Sequence, residues 1–107
     1  MKDAVIRKWC ATVRRADLDS WIETYRTRVL DNVKRIDGFR SVTFLAERET
    51  EPCPVTVLME WEDMEAITRF AGDDPARAVI PDFMAQFFVN ADAHAGFHDV
   101  ILQEARA

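Results

Sequence analysis

The period at which apolar residues recur changes along this chain, and the order of those changes admits few folds. Residues 4–14, AVIRKWCATVR, alternate, with Val5, Trp9, Ala11 and Val13 on one side and Lys8, Cys10, Thr12 and Arg14 on the other, the period of a strand. From Asp17 the spacing becomes three and four: Leu18, Trp21, Ile22, Tyr25, Val29, Val33 and Ile36 fall on one helical stripe. Asp17 and Asp19 suit its start, where free N–H groups and the dipole favour carboxylates, and Gly38 suits a left-handed stop, so the pattern predicts a helix of roughly 20 residues.

Period two returns over residues 39–49, with Val42, Phe44 and Ala46 on one side, and again over 55–62, with Val55, Val57, Met59 and Trp61 on one face. Pro52 and Pro54 close the loop between them, which predicts a hairpin. Asp63 can cap a short helix, MEAITRFA, that stops at Gly72. Pro75 suits the first position of another helix, Pro81 interrupts it, and residues 82–92 resume a helical spacing through Phe83, Met84, Phe87 and Phe88. The end, GFHDVILQEA, alternates His98, Val100 and Leu102 against Phe97, Asp99 and Ile101. The sum is α+β: a ferredoxin-like βαββαβ order with a four-stranded antiparallel sheet. Residues 1–107 read as one domain, since a second core has no room.

In a lone domain of this kind the uncovered sheet face should be polar. Here Ile6, Cys10, Leu58, Phe97 and Ile101 fall on that face, so a homodimer packing sheet on sheet, a dimeric α+β barrel, is expected. The composition, 49% hydrophobic and 31% charged with a net charge of -5, fits a globular chain with scattered basic residues, and nucleic acid is not an expected partner. Charges at Lys2, Asp3, Arg7 and Lys8 break any signal-peptide core, and no run of about 20 apolar residues spans a bilayer, so no membrane association and a cytoplasmic location are expected. Cys10 and Cys53 are expected to be free thiols.

The stretch VTVLMEWEDMEAITRFAGDDPARAVIP, with a strand ending in Trp, a Glu-Ala pair and an aromatic-Ala-Gly stop, resembles the central signature of the antibiotic biosynthesis monooxygenase family. The likeness extends to VIRKWCATV, DGFRSV and GFHDV. In relatives the closing strand begins with His followed by an aromatic ring; here Phe97 and His98 reverse that order. The resemblance implies a homodimeric barrel with a pocket between sheet and helices in each subunit. It also implies, for some members, oxygenation of phenolic or quinol-like molecules with no metal or flavin, the ionised substrate itself giving an electron to dioxygen. Haem-degrading relatives use an Asn on the first strand, a Trp on the later helix and a haem-ligating His. This chain has no such Asn, Phe70 in place of the Trp, and Ile80 and Pro81 in place of the His, which disfavours haem degradation.

His98, beside Val100 and Leu102, is the candidate catalytic acid or base, against its alternative as a hydrogen-bonded core histidine. Trp9, Tyr25, Trp61, Phe70 and Phe83 are the candidate substrate-contacting residues, the bland alternative for the rings being plain core. Arg40 can pair with an anionic substrate. His94 falls in a polar loop. With two His and two distant Cys, no metal and no cofactor are expected. The resulting expectation is a cofactor-independent monooxygenase acting on a small aromatic or polyketide-like molecule. A non-catalytic ligand-binding module, and a cyclase, isomerase or lyase on the same fold, stay open.

Overall fold

The structure, a computed structural model, describes residues 4–106, so Lys2 and Asp3 of the charge argument lie outside it. Strand β1 (Val5–Val13) is followed by a 3-10 turn at Arg15–Asp17, helix α1 (Leu18–Arg28), helix α2 (Leu30–Lys34), strand β2 (Phe39–Ala46), strand β3 (Cys53–Trp61) and helix α3 (Met64–Ala71). A 3-10 segment at Asp82–Phe87 then leads to two short strands, β4 (Phe88–Ala91) and β5 (Gly96–Asp99). The sheet order is β2-β3-β1-β4, all neighbours antiparallel, with β5 also on β1. This is the α+β ferredoxin-like arrangement, except that the fourth strand is split. β4 lies opposite Ala11–Val13 and β5 opposite Val5–Lys8, along the same edge.

The central pair β1 and β3 runs through nine residue pairs from Val5↔Trp61 to Val13↔Cys53. Directly opposed residues share a face, so Val5, Arg7, Trp9, Ala11 and Val13 stand with Cys53, Val55, Val57, Met59 and Trp61, and all ten are buried under the helices. Arg7 thus belongs to the inner face, although the sequence pattern was read without it.

The stripe from Leu18 to Ile36 does face the core, but the 20-residue helix is two. They divide at Val29, whose φ of -119° departs from the ideal helical value although its N–H still donates to the Tyr25 carbonyl at 2.9 Å. Just before Val29 the Thr27 hydroxyl donates to the Glu23 carbonyl at 2.9 Å, a back-bond that bends helices. Asp17 makes no side-chain cap. Gly38 (φ +93°) turns the chain into β2, and a Cβ there would stand 2.5 Å from the Ala66 Cβ of α3. Helix α3 has the predicted bounds, with the Asp63 carboxylate accepting from the Ala66 N–H at 2.9 Å and Gly72 (φ +85°) ending it.

Three expectations are corrected. No helix follows Pro75: residues 72–81 form an irregular strap, held by the Ala78 N–H on the Ala93 carbonyl (2.8 Å) and the Ala95 N–H on the Ala76 carbonyl (2.6 Å). The apolar spacing at residues 82–92 produces one 3-10 segment with Met84 alone buried, and Phe88 starts a strand. The last strand stops at Asp99 with its faces reversed. Phe97 opposes Arg7 and packs inward, while His98 opposes Ile6 on the outer face. No helix among the described residues is long and apolar enough to cross a membrane. Cys10 and Cys53 are free, separated onto opposite faces by their register positions.

Candidate functional site

Between the inner face of the sheet, helix α1 and the strap lies a cavity with about 630 Å³ of empty space, counting its open mouth. Trp9, Val57 and Met59 rise into it from the sheet, Trp21 and Tyr25 descend from α1 and Val29 from the junction of α1 with α2, and Val79, Ile80 and Pro81 close it from the strap. Its walls are joined edge to face. Trp9 meets Phe88 (centroids 5.2 Å apart), Phe88 meets Trp21 (5.9 Å), Trp21 meets Phe44 (5.2 Å), and Phe44 meets Tyr25 (4.7 Å). Such pairs hold ring planes at defined angles, so the belt forms an ordered aromatic wall along the cavity.

Arg7 enters this apolar space from β1. It is 3% exposed and is the buried charged side chain among the described residues. Its Nε donates to the Pro75 carbonyl at 3.1 Å and its Nη2 to the Arg77 carbonyl at 2.6 Å, which fastens the strap to the sheet. The guanidinium carbon lies 5.3 Å from the Phe70 ring centroid. No carboxylate of the described residues pairs with it. Burial pulls its pKa below the ordinary arginine value, but a guanidinium remains charged in proteins.

Tyr25 is the second polar group on the wall. Burial pushes its hydroxyl up to about 12, so at neutral pH it is a hydrogen-bond donor and not a base. The Trp9 indole N–H is already committed to the Asp92 carbonyl at 2.7 Å. The lining contains no His, Asp or Glu, and no group of three or more His, Cys, Asp or Glu among the described residues could hold a metal ion.

Of the residues expected at the site, Trp9, Tyr25 and Phe70 line the cavity. Trp61 does not. It is fully buried behind Phe70, the ring centroids 5.3 Å apart. Phe83 also stays off the wall and carries the Arg28 guanidinium over its ring at 3.8 Å. His98 is exposed on the sheet face opposite the cavity, because the antiparallel register ties it to Ile6 and gives the inward position to Phe97. Arg40 lies 3.9 Å from Glu60, and His94 is exposed beside Arg77 at an isolated bridge. The positions that the family resemblance singled out, Phe70, Ile80 and Pro81, all line the cavity. Arg7, Trp21 and Phe44 were missed. The signal for Arg7 was in the alternation itself, since any strand that buries Val5 and Trp9 must also turn residue 7 inward.

No family model matches the sequence, and neither does any curated protein. Solved structures do match. A candidate antibiotic biosynthesis monooxygenase from Bacillus cereus superposes with a TM-score of 0.69 at 17% identity, covering 98% of each chain. SnoaB, a cofactor-independent oxygenase from Streptomyces nogalater, gives 0.58 at 21% identity over 98% of this chain and 95% of its own. The monooxygenase from the gene ActVA-Orf6 of Streptomyces coelicolor, solved with nanaomycin D, gives 0.61 at 16% identity over 99% and 92%. The TM-scores, the near-complete coverage of both chains and the antiparallel α+β sheet support one conclusion: this chain has the antibiotic biosynthesis monooxygenase fold.

Proposed function

We propose that this protein is a cofactor-independent oxygenase of a small aromatic or polyketide-like molecule, acting as a homodimer. The observation that carries the reading is the aromatic belt from Trp9 to Tyr25 around a cavity whose lining is apolar apart from Arg7 and the Tyr25 hydroxyl. It can hold a flat ring system still and keep water from it. Structural neighbours described as a cofactor-independent oxygenase and as a monooxygenase bound to nanaomycin D lend support.

The reaction suited to such a wall needs no outside reductant. A methylene between aromatic rings, ionised as its enolate, gives one electron to dioxygen; the radical and superoxide combine to a peroxide. Protonation and loss of water then leave a carbonyl. The methylene carbon is oxidised, one oxygen atom is retained and the other leaves as water. Since no base lines the cavity, the substrate must ionise readily by itself, and Tyr25 is placed to donate to an oxyanion. Trp9, Tyr25 and Phe70 are the proposed substrate contacts, with Trp61 supporting Phe70 from behind.

The dimer reading rests on the outer face, where Ile6, Cys10 and Leu58 are half-buried and Leu45 is exposed. Beyond β5, Ile101 and Leu102 are 90% and 78% exposed, apolar surface that a partner would cover. Light scattering should give twice the 12.3 kDa chain; a monomer at micromolar concentration would refute the dimer.

Oxygen uptake with a panel of anthrones, naphthols and hydroquinones is the test of the chemistry. With the anthrones, one dioxygen consumed per methylene converted to carbonyl, in chelator-treated protein, is expected. Replacing the outer-face histidine, His98→Ala, should leave that rate within about twofold, because a group on the far side of the sheet is out of proton-transfer reach. No uptake over background with any compound sinks the oxygenase reading. Tight binding without uptake favours instead a non-catalytic ligand-binding module, a reading that the lack of acid or base on the wall supports.

A further inference from the structure

The cavity's one cation is without a counter-ion. A guanidinium has five N–H donors; the strap carbonyls of Pro75 and Arg77 take one from Nε and one from Nη2. Three donors are left. Nη1 has no partner among the described residues, yet it is not among the sealed, unpartnered polar atoms, and Arg7 is part of the cavity wall, so the guanidinium keeps an accessible donor at that wall. A buried charge is unfavourable unless paired, and nothing else in the lining can pair it. We infer that Arg7 makes the cavity a site for an aromatic oxyanion, a flat ring system whose negatively charged oxygens dock on the guanidinium fork.

The placement suits that ligand. In the sheet register Arg7 stands in one row with Met59 and Val42, and Trp9 in the next with Val57 and Phe44, the residue against which Tyr25 packs. Arg7 on β1 and Phe44 on β2 thus stand one inward row and two strands apart, with Tyr25 packed on Phe44 from α1, so the cation and the phenol border the same cavity from different sides. Because Trp9 and Phe70 line the same cavity as Arg7, the guanidinium can hold an oxygen of a fused-ring ligand while its rings lie against those two side chains. The strap carbonyls fix the plane of the guanidinium before any ligand arrives, which favours the two-pronged geometry of an oxyanion over a lone point contact.

The inference rests on reading this cavity as the ligand site, and it is testable without the natural substrate. Calorimetry with 2-naphthoate and its neutral isostere 2-naphthamide should give about tenfold or more tighter binding of the anion to the wild-type protein, the scale of one charge-assisted hydrogen bond. In Arg7→Met the preference should vanish, and in Arg7→Lys it should survive in part. A strap staple alone would lower the melting temperature of Arg7→Met without creating any preference in the wild type. Equal affinities in the wild type, binding of neither probe, or a preference that persists in folded Arg7→Met each overturns the assignment. If Arg7→Met does not fold, the wild-type comparison and Arg7→Lys decide. The anion preference without oxygen uptake would leave this site standing and remove the oxygenase reading; uptake without the preference would do the reverse.

Discussion

The chain folds as two strand-helix-strand halves that cover the same sheet in different ways. In the first, β1 to β2, a stripe of seven apolar positions from Leu18 to Ile36 roofs the inner face almost continuously across α1 and α2. In the second, β3 to β5, helix α3 is eight residues long, and after Gly72 the roof is an irregular strap and a 3-10 segment. The cavity lies where the second roof thins, walled by α1 on one side and by Val79, Ile80 and Pro81 on the other. A helix there would fill the space with its own regular row of side chains; a strap pinned by two carbonyls to Arg7 leaves it open. The regular half supplies rigidity, and the irregular half supplies the shape of the site.

The comparison is tested most severely at α3. If that short helix is the rigid anchor of the second half, Ile67→Ala, at a position with no solvent exposure, should destabilise by about 2–5 kcal/mol in denaturant unfolding; a loss under 1 kcal/mol would mean that α3 is not packed as a core element. A smaller effect separates the two roofs in native-state hydrogen exchange. The hydrogen-bonded strap amide of Ala78 should be protected at least about tenfold less than amides of α1, because few buried contacts hold the strap. Equal protection would erase the distinction. Asp63→Ala should cost about 0.5–2 kcal/mol through loss of the cap on Ala66.

The mildest test is spectroscopic. Tyr25 is the chain's single tyrosine, so tyrosinate absorbance reads it alone, and the midpoint should lie near 12 instead of 10.0. Because the folded value is raised above the unfolded one, the stability that neutral Tyr25 contributes is whole below about pH 10 and is lost as pH rises towards 12. Tyr25→Phe should lack that decline. A midpoint near 10 would place the hydroxyl in bulk water and off the cavity wall.

The same contrast explains what could be read in the residues. The first half obeys its periods, and the stripe, the hairpin and the Gly38 turn follow directly from them. In the second half Asp63 and Gly72 announce α3 at both ends, but beyond Gly72 the local pattern and the tertiary structure part. Phe83, Met84, Phe87 and Phe88 have helical spacing, yet the β1 edge was free and Phe88 pairs with it as strand. His98, Val100 and Leu102 looked like one apolar face because the alternation was carried past Asp99, where the strand ends; only pairing with β1 fixes the phase, and it turns Phe97 inward. Trp9, Tyr25 and Phe70 were legible as rings that reach the cavity, but every aromatic residue of this chain lies in or against the core, so the same signal also picked Trp61 and Phe83, which stay off the wall. Arg7 was hidden by its charge, since a cation on an apolar face reads as an interruption until its backbone acceptors, 68 and 70 residues away, are in view.

The positions of the three tryptophans give the molecule an optical consequence. Trp9 and Trp21 border the cavity, whereas Trp61 is sealed behind Phe70. Indole emission moves to shorter wavelength as polar surroundings are replaced by apolar ones. Under the proposed reading, a ligand that displaced solvent from the cavity would change the surroundings of two of the three emitters and leave the third as a constant background, so the unlabelled protein would report its own occupancy.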